Sequence, residues 1–312
     1  VFHNHAHKLN LKDFKPKEVD FSYQKVVSYS AYSVYKHCPF KWYLQYHKKE
    51  LPYEPSISTI FGTAMHNVLQ MYIKTAYTES FSKADEIDMF ETLQDKISEE
   101  YKIQFTKNKN VHFSNPTELN EYREDGEAIL KWFSSHRMEY FSKKGWELVG
   151  IEMPIQKEVK HNLLFQGYLD IVLYNSIEDK ILIIDLKTSK QSWGDYHKKD
   201  KTKQHQLMMY KHYFAELYGH PIKNIDVKFL ILKRKLYENL DFAQKRIQEF
   251  IPPNGKNSVN QAVTSFDEFL AECYDSNGKT IEKEYVKQPG KLCDYCKAFE
   301  KNLCDKNQNQ TK

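Results

Sequence analysis

Two short stretches decide how this chain reads: Gly167-Tyr168-Leu169-Asp170, and Ile183-Ile184-Asp185-Leu186-Lys187-Thr188. Each is an apolar run that breaks into charge. Leu163 to Tyr174 and Lys180 to Thr188, which contain them, have the β-branched and aromatic content of strands. The polar segment Asn175-Ser176-Ile177-Glu178-Asp179 between them is turn-like, so an antiparallel hairpin is expected. Asp185 and Lys187 are two apart and project from one face of their strand. Asp170 falls within cross-strand reach. Carboxylates that converge at the edge of an apolar sheet repel unless a cation lies between them. A hard divalent cation such as Mg²⁺ takes oxygen ligands and keeps several waters. An ammonium beside it, here that of Lys187, is suited to orienting a water nucleophile or neutralising charge on a phosphorane-like transition state. Alone, Asp-x-Lys is also the pattern of an ordinary ion pair on a strand edge.

Working outward, Trp146 to Val159 reads as a strand with Leu148, Gly150, Glu152 and Pro154 on one parity. Lys203 to Tyr218 is helical and closes at Gly219 and Pro221. Val227 to Leu236 is a fourth strand. Upstream, Ser30 is placed to cap an aromatic helical run through Tyr46, and Pro39 should end one helix and start the next. Helical spacing recurs from Phe61 to about Tyr77, from Asp88 to Phe105 and from Thr117 to Phe141. After Pro252 the chain is polar and irregular, with a helix expected at Phe266 to Tyr274. Strands and helices in this order predict a mixed α/β core.

Composition narrows the function classes. The 312 residues suffice for a core without disulfides. A formal charge of +4 excludes a polycation that coats nucleic acid. Of 46 basic residues only Arg123, Arg137, Arg234 and Arg246 are arginine. Five cysteines are too few and too odd a set for a secreted disulfide framework, and suit a metal or cluster site or reduced thiols. No apolar stretch approaches the ~20 residues of a membrane span. A cytoplasmic location is the expectation, with no membrane partner. His3, His5 and His7 read as part of a flexible segment over residues 1–25.

Four blocks, in order, resemble the PD-(D/E)XK nuclease superfamily and its RecB-like branch. That branch includes the nuclease domains of recombination helicase–nucleases and the CRISPR-associated exonucleases. The blocks are Phe61-Gly62-Thr63-Ala64-Met65-His66, Gly167-Tyr168-Leu169-Asp170, Asp185-Leu186-Lys187-Thr188 and Gln206-Leu207-Met208-Met209-Tyr210. The resemblance implies a restriction-endonuclease-like mixed β-sheet flanked by helices. It implies one RecB-like nuclease domain over residues 26–312, with a helical insertion at about 85–141, a core at about 146–236 and a cysteine region at about 252–304. It further implies that His66, Asp170, Asp185 and the backbone carbonyl of Leu186 hold Mg²⁺ or Mn²⁺, with Lys187 positioning the attacking water. Gln206 and Tyr210, four apart on one helix face, would steady the site or touch DNA. Glu152 is a further candidate carboxylate. Gly62, one turn before His66, offers a notch for close approach.

Cys293, Cys296 and Cys304 form a compact triplet that needs a fourth ligand from elsewhere. Members of the RecB-like branch with one cysteine before the nuclease motifs and three after them hold a [4Fe-4S] cluster that joins the chain ends. By that resemblance Cys38, Cys293, Cys296 and Cys304 are the ligands, with zinc as the alternative occupant. Cys273 matches nothing.

The loop after Lys187 holds Lys190, Lys198, Lys199, Lys201 and Lys203 against Asp195 and Asp200, with Trp193 and Tyr196 interleaved. Lysines attract phosphates without reading sequence, and aromatics stack on unpaired bases. Lys233-Arg234-Lys235 is a second candidate surface. The scarcity of arginine argues against bidentate readout of guanine. The expected activity is a metal-dependent deoxyribonuclease, an exonuclease on single-stranded or free-ended DNA, with a helicase or recombination protein as partner. Two other readings stay open: an inactive DNA-end-binding module of the same fold, and a zinc-stabilised interaction protein.

Overall fold

The structure, a computed structural model, describes residues 9, 11, 14–20, 22, 25–51, 54–142 and 144–304, with 291 and 292 described in backbone only. His3, His5, His7 and most of the segment 1–25 lie outside the described residues. In chain order the elements are β1 (Val26–Val27), α1 (Tyr29–His37), α2 (Pro39–Trp42), α3 (Ile57–Thr78), α4 (Phe81–Ala84), α5 (Met89–Lys107) and α6 (Pro116–Tyr140). There follow β2 (Trp146–Lys160), β3 (Leu163–Asn175), β4 (Lys180–Ser189), α7 (Asp195–Lys198), α8 (Lys201–Tyr218), β5 (Ile225–Lys233), β6 (Ile247–Phe250), α9 (Lys256–Cys273) and α10 (Lys297–Glu300).

Six strands form a mixed sheet in the order β1-β3-β4-β5-β6, with β2 also on β3. β3 and β4 are the expected antiparallel hairpin, Ile171 opposite Ile184. Its turn is held by Asn175 Oδ1, which accepts the Ile177 and Glu178 N–H groups at 3.0 Å each. β4 and β5 are parallel, joined through α8, with Asp185 level with Phe229 and Lys187 with Ile231. β6 runs antiparallel on β5. This strand was not expected: only four residues long, Ile-Gln-Glu-Phe carries too little alternation to announce itself.

The chain divides into two compact units, the larger built mainly from Glu54–Ile155 and Tyr168–Val259. In that unit α3 starts at Ser56, whose hydroxyl accepts the Thr59 N–H at 3.3 Å. Its buried stripe, including Ile60, Phe61, Ala64, Met65, Val68, Leu69 and Tyr72, is the centre of the core. Against it pack Leu93 and Ile97 of α5, Ile129, Leu130 and Phe133 of α6, and the sheet residues Ile171, Leu173, Ile184, Leu186, Leu230 and Leu232. The helical block 85–141 thus supplies core as well as surface. α6 comes close at Gly126, where an added Cβ would fall on Leu93 Cδ2 and 3.0 Å from Phe61 Cε2. Arg234, just past β5, donates to buried Asp125 of α6 at 2.8 Å and lies 3.7 Å from the Tyr122 ring.

The smaller unit draws on residues 19–53, 156–167 and 260–312. Its core is aromatic: Trp42 meets Tyr35, Phe269, Tyr274 and Tyr285 at ring separations of 5.4–5.9 Å. α1 ends and α2 begins at Pro39, as expected. The cap of α1 is Ser28, which accepts the Ala31 N–H at 3.3 Å, and Ser30 lies inside the first turn. α9 is longer than expected, because Val259, Ala262, Phe266, Phe269 and Cys273 continue one buried face through a polar stretch.

A Gly126→Ala substitution tests the α6 approach. Ala in an exposed helix interior gains roughly 1 kcal/mol over Gly, whereas overpacking costs about 1–3 kcal/mol. The net expectation is a lower melting temperature, and a smaller drop when Leu93→Ala is already present. A more stable Gly126→Ala protein would show that the helices are not in contact there.

Candidate active site

All the carboxylates and bases of interest lie in the larger unit. The two-residue alternation of β4 buries Ile184 and Leu186 in the core and turns Asp185 and Lys187 to the other face. Continuing the β3–β4 register by one step sets Asp170 opposite Asp185. Asp170 is 9% and Asp185 2% exposed.

Burial pushes the Asp170 carboxyl up to about 6, while Lys187 and the Leu186 N–H, donated to Oδ2 at 2.7 Å, act in the opposite direction. Burial also raises Asp185 to about 6; Lys187 offsets it and the Asp170 charge adds to it. The Lys187 ammonium sits 2.7 Å from Asp185 Oδ2. Burial works to lower its pKa, but Asp185 and Asp170 outweigh this and hold it above the usual value. The Asp185 contact is an ion pair without hydrogen-bond alignment, and Oδ2 is a buried oxygen with no hydrogen-bond partner. A buried carboxylate oxygen met only by one ammonium keeps acceptor capacity that suits a cation.

His66 stands on α3, with Nδ1 3.6 Å from Asp170 Oδ2. Burial, then Lys187, lowers its pKa, and its ring bonds the Leu186 backbone. Leu186 therefore serves the site through its backbone: its N–H fixes Asp170, and its carbonyl side faces His66. Gly62 lets α3 approach β4, since a Cβ there would lie 3.2 Å from Thr188 Oγ1.

His66, Glu152 and Asp170 each offer a ligand atom within 4.8 Å of the others. Glu152 thus joins the group, while Asp185 is engaged by Lys187. Glu152 has φ +47, a left-handed conformation that is unusual for a non-glycine strand residue and breaks the plain alternation of β2. Strand parity alone does not anticipate such a kink. Gln70 went unrecognised in the sequence. It is 4% exposed, donates to Glu152 Oε1 at 2.5 Å and approaches the Asp170 carbonyl at 3.4 Å. Its position four residues after His66, on the same helix face, is the signal that finds it.

Gln206 and Tyr210 are buried on α8, which packs on β4 and β5, and Gln206 Nε2 donates to the Tyr210 hydroxyl at 3.2 Å. Among the lysine-loop residues, Lys190, Lys199 and Lys201 are exposed and Tyr196 is 72% exposed. Lys199 pairs with Asp195 at 2.8 Å, and Lys198 and Lys203 are partly buried. Trp193 corrects the expectation of a stacking residue: it is 7% exposed and its ring lies 5.2 Å from Phe229 and 6.2 Å from Phe250. Gln248 pins its backbone, so Trp193 anchors the loop to the sheet. The surface expected at Lys233-Arg234-Lys235 is corrected at Arg234 and Lys235. Arg234 and Lys235 are neutralised by Asp125 and Glu121, and Lys233 is buried.

In the smaller unit, Cys38 lies between α1 and α2, and Cys293, Cys296 and Cys304 lie in the C-terminal turns. All four are partly buried free thiols. Burial raises the Cys304 pKa, with the charges of Cys38, Cys296 and Cys293 acting in the same direction. No three of these sulfurs come within 4.8 Å of one another. Cys273 is buried, which pushes its thiol up.

The raised carboxyls make a signed prediction. A carboxyl with a raised folded-state pKa contributes stability below its unfolded pKa and loses it as pH rises through the folded one, so the metal-free chain loses stability from about pH 4 to about pH 6. In EDTA near pH 7.5, Asp170→Asn is expected to raise the melting temperature by a few degrees. Mn²⁺ is expected to raise the wild-type value near pH 7.5 but not near pH 4.5, and to leave Asp170→Asn unmoved. Equal Mn²⁺ shifts in both proteins would place the cation elsewhere.

No curated protein matches the chain closely enough to add a relative. The sequence profile of the PD-(D/E)XK nuclease superfamily matches residues 26–304, which takes in every residue of the site and all five cysteines. The chain belongs to the PD-(D/E)XK nuclease superfamily.

Proposed function

We propose that this nuclease is a Mg²⁺- or Mn²⁺-dependent deoxyribonuclease of the RecB-like branch, an exonuclease on single-stranded or free-ended DNA. The observation that carries the reading is the convergence of His66, Glu152 and Asp170 beside a buried Asp185–Lys187 pair. The residues suit a hard divalent cation: one imidazole and three carboxylates, of which Asp185 is shared with the Lys187 ammonium. When bound, the cation supplies Lewis acidity at the phosphoryl oxygen and a more acidic water.

The chain's own groups do the rest. Gln70 and the Leu186 N–H hold Glu152 and Asp170 in place. Asp185 fixes the Lys187 ammonium, which orients the attacking water and offsets charge growing on the phosphoryl oxygens. Exposed Lys190 and Lys201, and Lys199 beside Asp195, face the backbone, and the exposed Tyr196 ring, edge-on to His197, offers a face to a base. Lysines and a stacking ring hold a strand without reading base edges, in keeping with sequence-independent action in recombination, repair or replication. A helicase or recombination partner and a cytoplasmic setting belong to the same reading. Among the described residues no helix is long and apolar enough to cross a membrane.

The four cysteines are proposed to hold a [4Fe-4S] cluster. A zinc ion with Zn–S near 2.3 Å needs its sulfurs roughly 3.8 Å apart. A four-iron cluster spreads its thiolates around a larger cube, and the charges of Cys38, Cys293 and Cys296 all act on Cys304. Protein purified without oxygen is expected to be brown and to contain iron and acid-labile sulfide. Colourless protein with stoichiometric zinc would reverse the assignment.

Labelled single- and double-stranded DNA, with free and blocked ends, tests the activity. Cleavage is expected with Mg²⁺ or Mn²⁺ and none with EDTA, and free ends should be required. Lys187→Ala should lower turnover by about a hundredfold or more while leaving DNA binding largely intact. A folded Asp185→Ala protein that cuts at the wild-type rate would remove this site from the chemistry.

A further inference from the structure

A cavity of about 430 Å³ opens at the ends of β5 and β6, lined among others by Lys233, Ser192, Gln248, Lys245, Glu139 and Glu249. Its charges do not cancel locally. Lys245 pairs with Glu139 at 2.6 Å, and Glu249 pairs with Lys228 at 2.6 Å. Lys233 is left over. It is only 8% exposed, yet its ammonium has no hydrogen bond and no ion pair among the described residues. Arg246 lies near enough to disfavour its charge further, and burial does so more strongly. An ammonium on a largely buried side chain, with no anion of its own and lining a cavity, can receive the charge of a ligand there.

The position of Lys233 says which ligand. In the parallel β4–β5 register, Ser189 is level with Lys233 and Lys187 with Ile231. Lys233 therefore shares a sheet face with Asp185 and Lys187, one strand across and two residues further along. Strand spacing and rise put its Cα about 8 Å from that of Lys187, the scale of the separation between neighbouring phosphates of a strand. The loop that carries the exposed lysines borders the cavity at Ser192, and Ser192 Oγ lies 3.4 Å from the hydroxyl of Tyr237, itself 46% exposed.

We propose that this cavity is a second phosphate subsite, in which Lys233 binds a phosphate group of a nucleotide next to the site of cleavage. The proposal deepens the nuclease reading and rests on it for the identity of the ligand. Its phosphate is carried either by the strand backbone or by a released mononucleotide. Ser192 and Gln248 line the same cavity and provide polar groups beside the ammonium.

Binding measured in EDTA separates the subsite from catalysis. Fluorescence anisotropy with a labelled oligothymidylate tests the backbone arm. Thermal shift with thymidine 5′-monophosphate, against thymidine, tests the mononucleotide arm. Lys233→Gln is expected to weaken oligothymidylate binding about five- to tenfold and to lower the salt slope by about one, with Lys233→Arg retaining most of the affinity. In Mn²⁺, Lys233→Gln should raise KM with kcat little changed. A monophosphate-induced rise in melting temperature that Lys233→Gln abolishes assigns the site to the released nucleotide. An effect on the oligonucleotide alone assigns it to the strand. Wild-type binding and salt slope in Lys233→Gln would overturn the subsite even if the enzyme cleaves DNA. Loss of phosphate binding in Lys233→Gln with no cleavage by wild type would instead keep the subsite and sink the nuclease reading. Lys233→Met guards against a structural lysine: in anion-free buffer it should melt no lower than wild type, and a large drop would overturn the proposal.

Discussion

Two carboxylates buried side by side on a β-hairpin are the constraint around which the larger unit is arranged. Asp170 and Asp185 come together because β3 and β4 pair in one register, and a slip of one residue by either strand would turn its carboxylate into the apolar core. Their mutual repulsion is contained by three neighbours: the Leu186 N–H on Asp170, the Lys187 ammonium on Asp185, and the His66 ring. The containment is incomplete. Both carboxyls stay well above their ordinary pKa, and Asp185 Oδ2 has the Lys187 ammonium alone for company. A site relaxed by its own protein would have little use for a cation; this one retains an electrostatic deficit that a divalent ion answers.

The hairpin was legible because period-two alternation, a polar turn and the Asp-x-Lys spacing all agree over a short span. Pro39 and Gly219 were legible for a related reason: each acts through local backbone chemistry, a missing N–H in one case and a positive φ in the other. Glu152 was visible only as a candidate, because its place depends on a left-handed kink that no alternation encodes. Gln70 was hidden by the same helix that revealed His66. A buried glutamine in an apolar stripe stands out only by its place one turn after His66, a signal that gains meaning once Glu152 is located. Trp193 was misread because an aromatic in a lysine-rich loop looks like a stacking platform. What decides its role is the short strand β6, whose Gln248 and Phe250 receive it, and β6 itself was not apparent.

The basic residues divide by type in a way that charge totals conceal. Arg234 and Arg137 are committed to acids within the larger unit, Asp125 at 2.8 Å and Asp85 at 2.6 Å, where a planar fork holds geometry. Lys190 and Lys201 are exposed on the loop beside the site. These two arginines tie α6 to other elements, whereas Arg123 is exposed and bonds within α6. A surface of point charges holds a phosphate backbone in many registers, the property a strand-tracking enzyme requires and a sequence reader avoids.

Helix α3 links stability to chemistry most directly. One side of it is the centre of the core, from Ile60 through Tyr72, and the same helix carries His66 and Gln70 to the carboxylates. Because the helical repeat is 3.6 residues, a rotation that moved His66 away from Asp170 would also expose Met65 and Leu69. The packing of α5 and α6 against α3, with its close approach at Gly126, therefore sets the angle at which His66 and Gln70 meet the sheet. The helical block at 85–141, which has no reactive residue in the site, acts on the chemistry by fixing the phase of the helix that does.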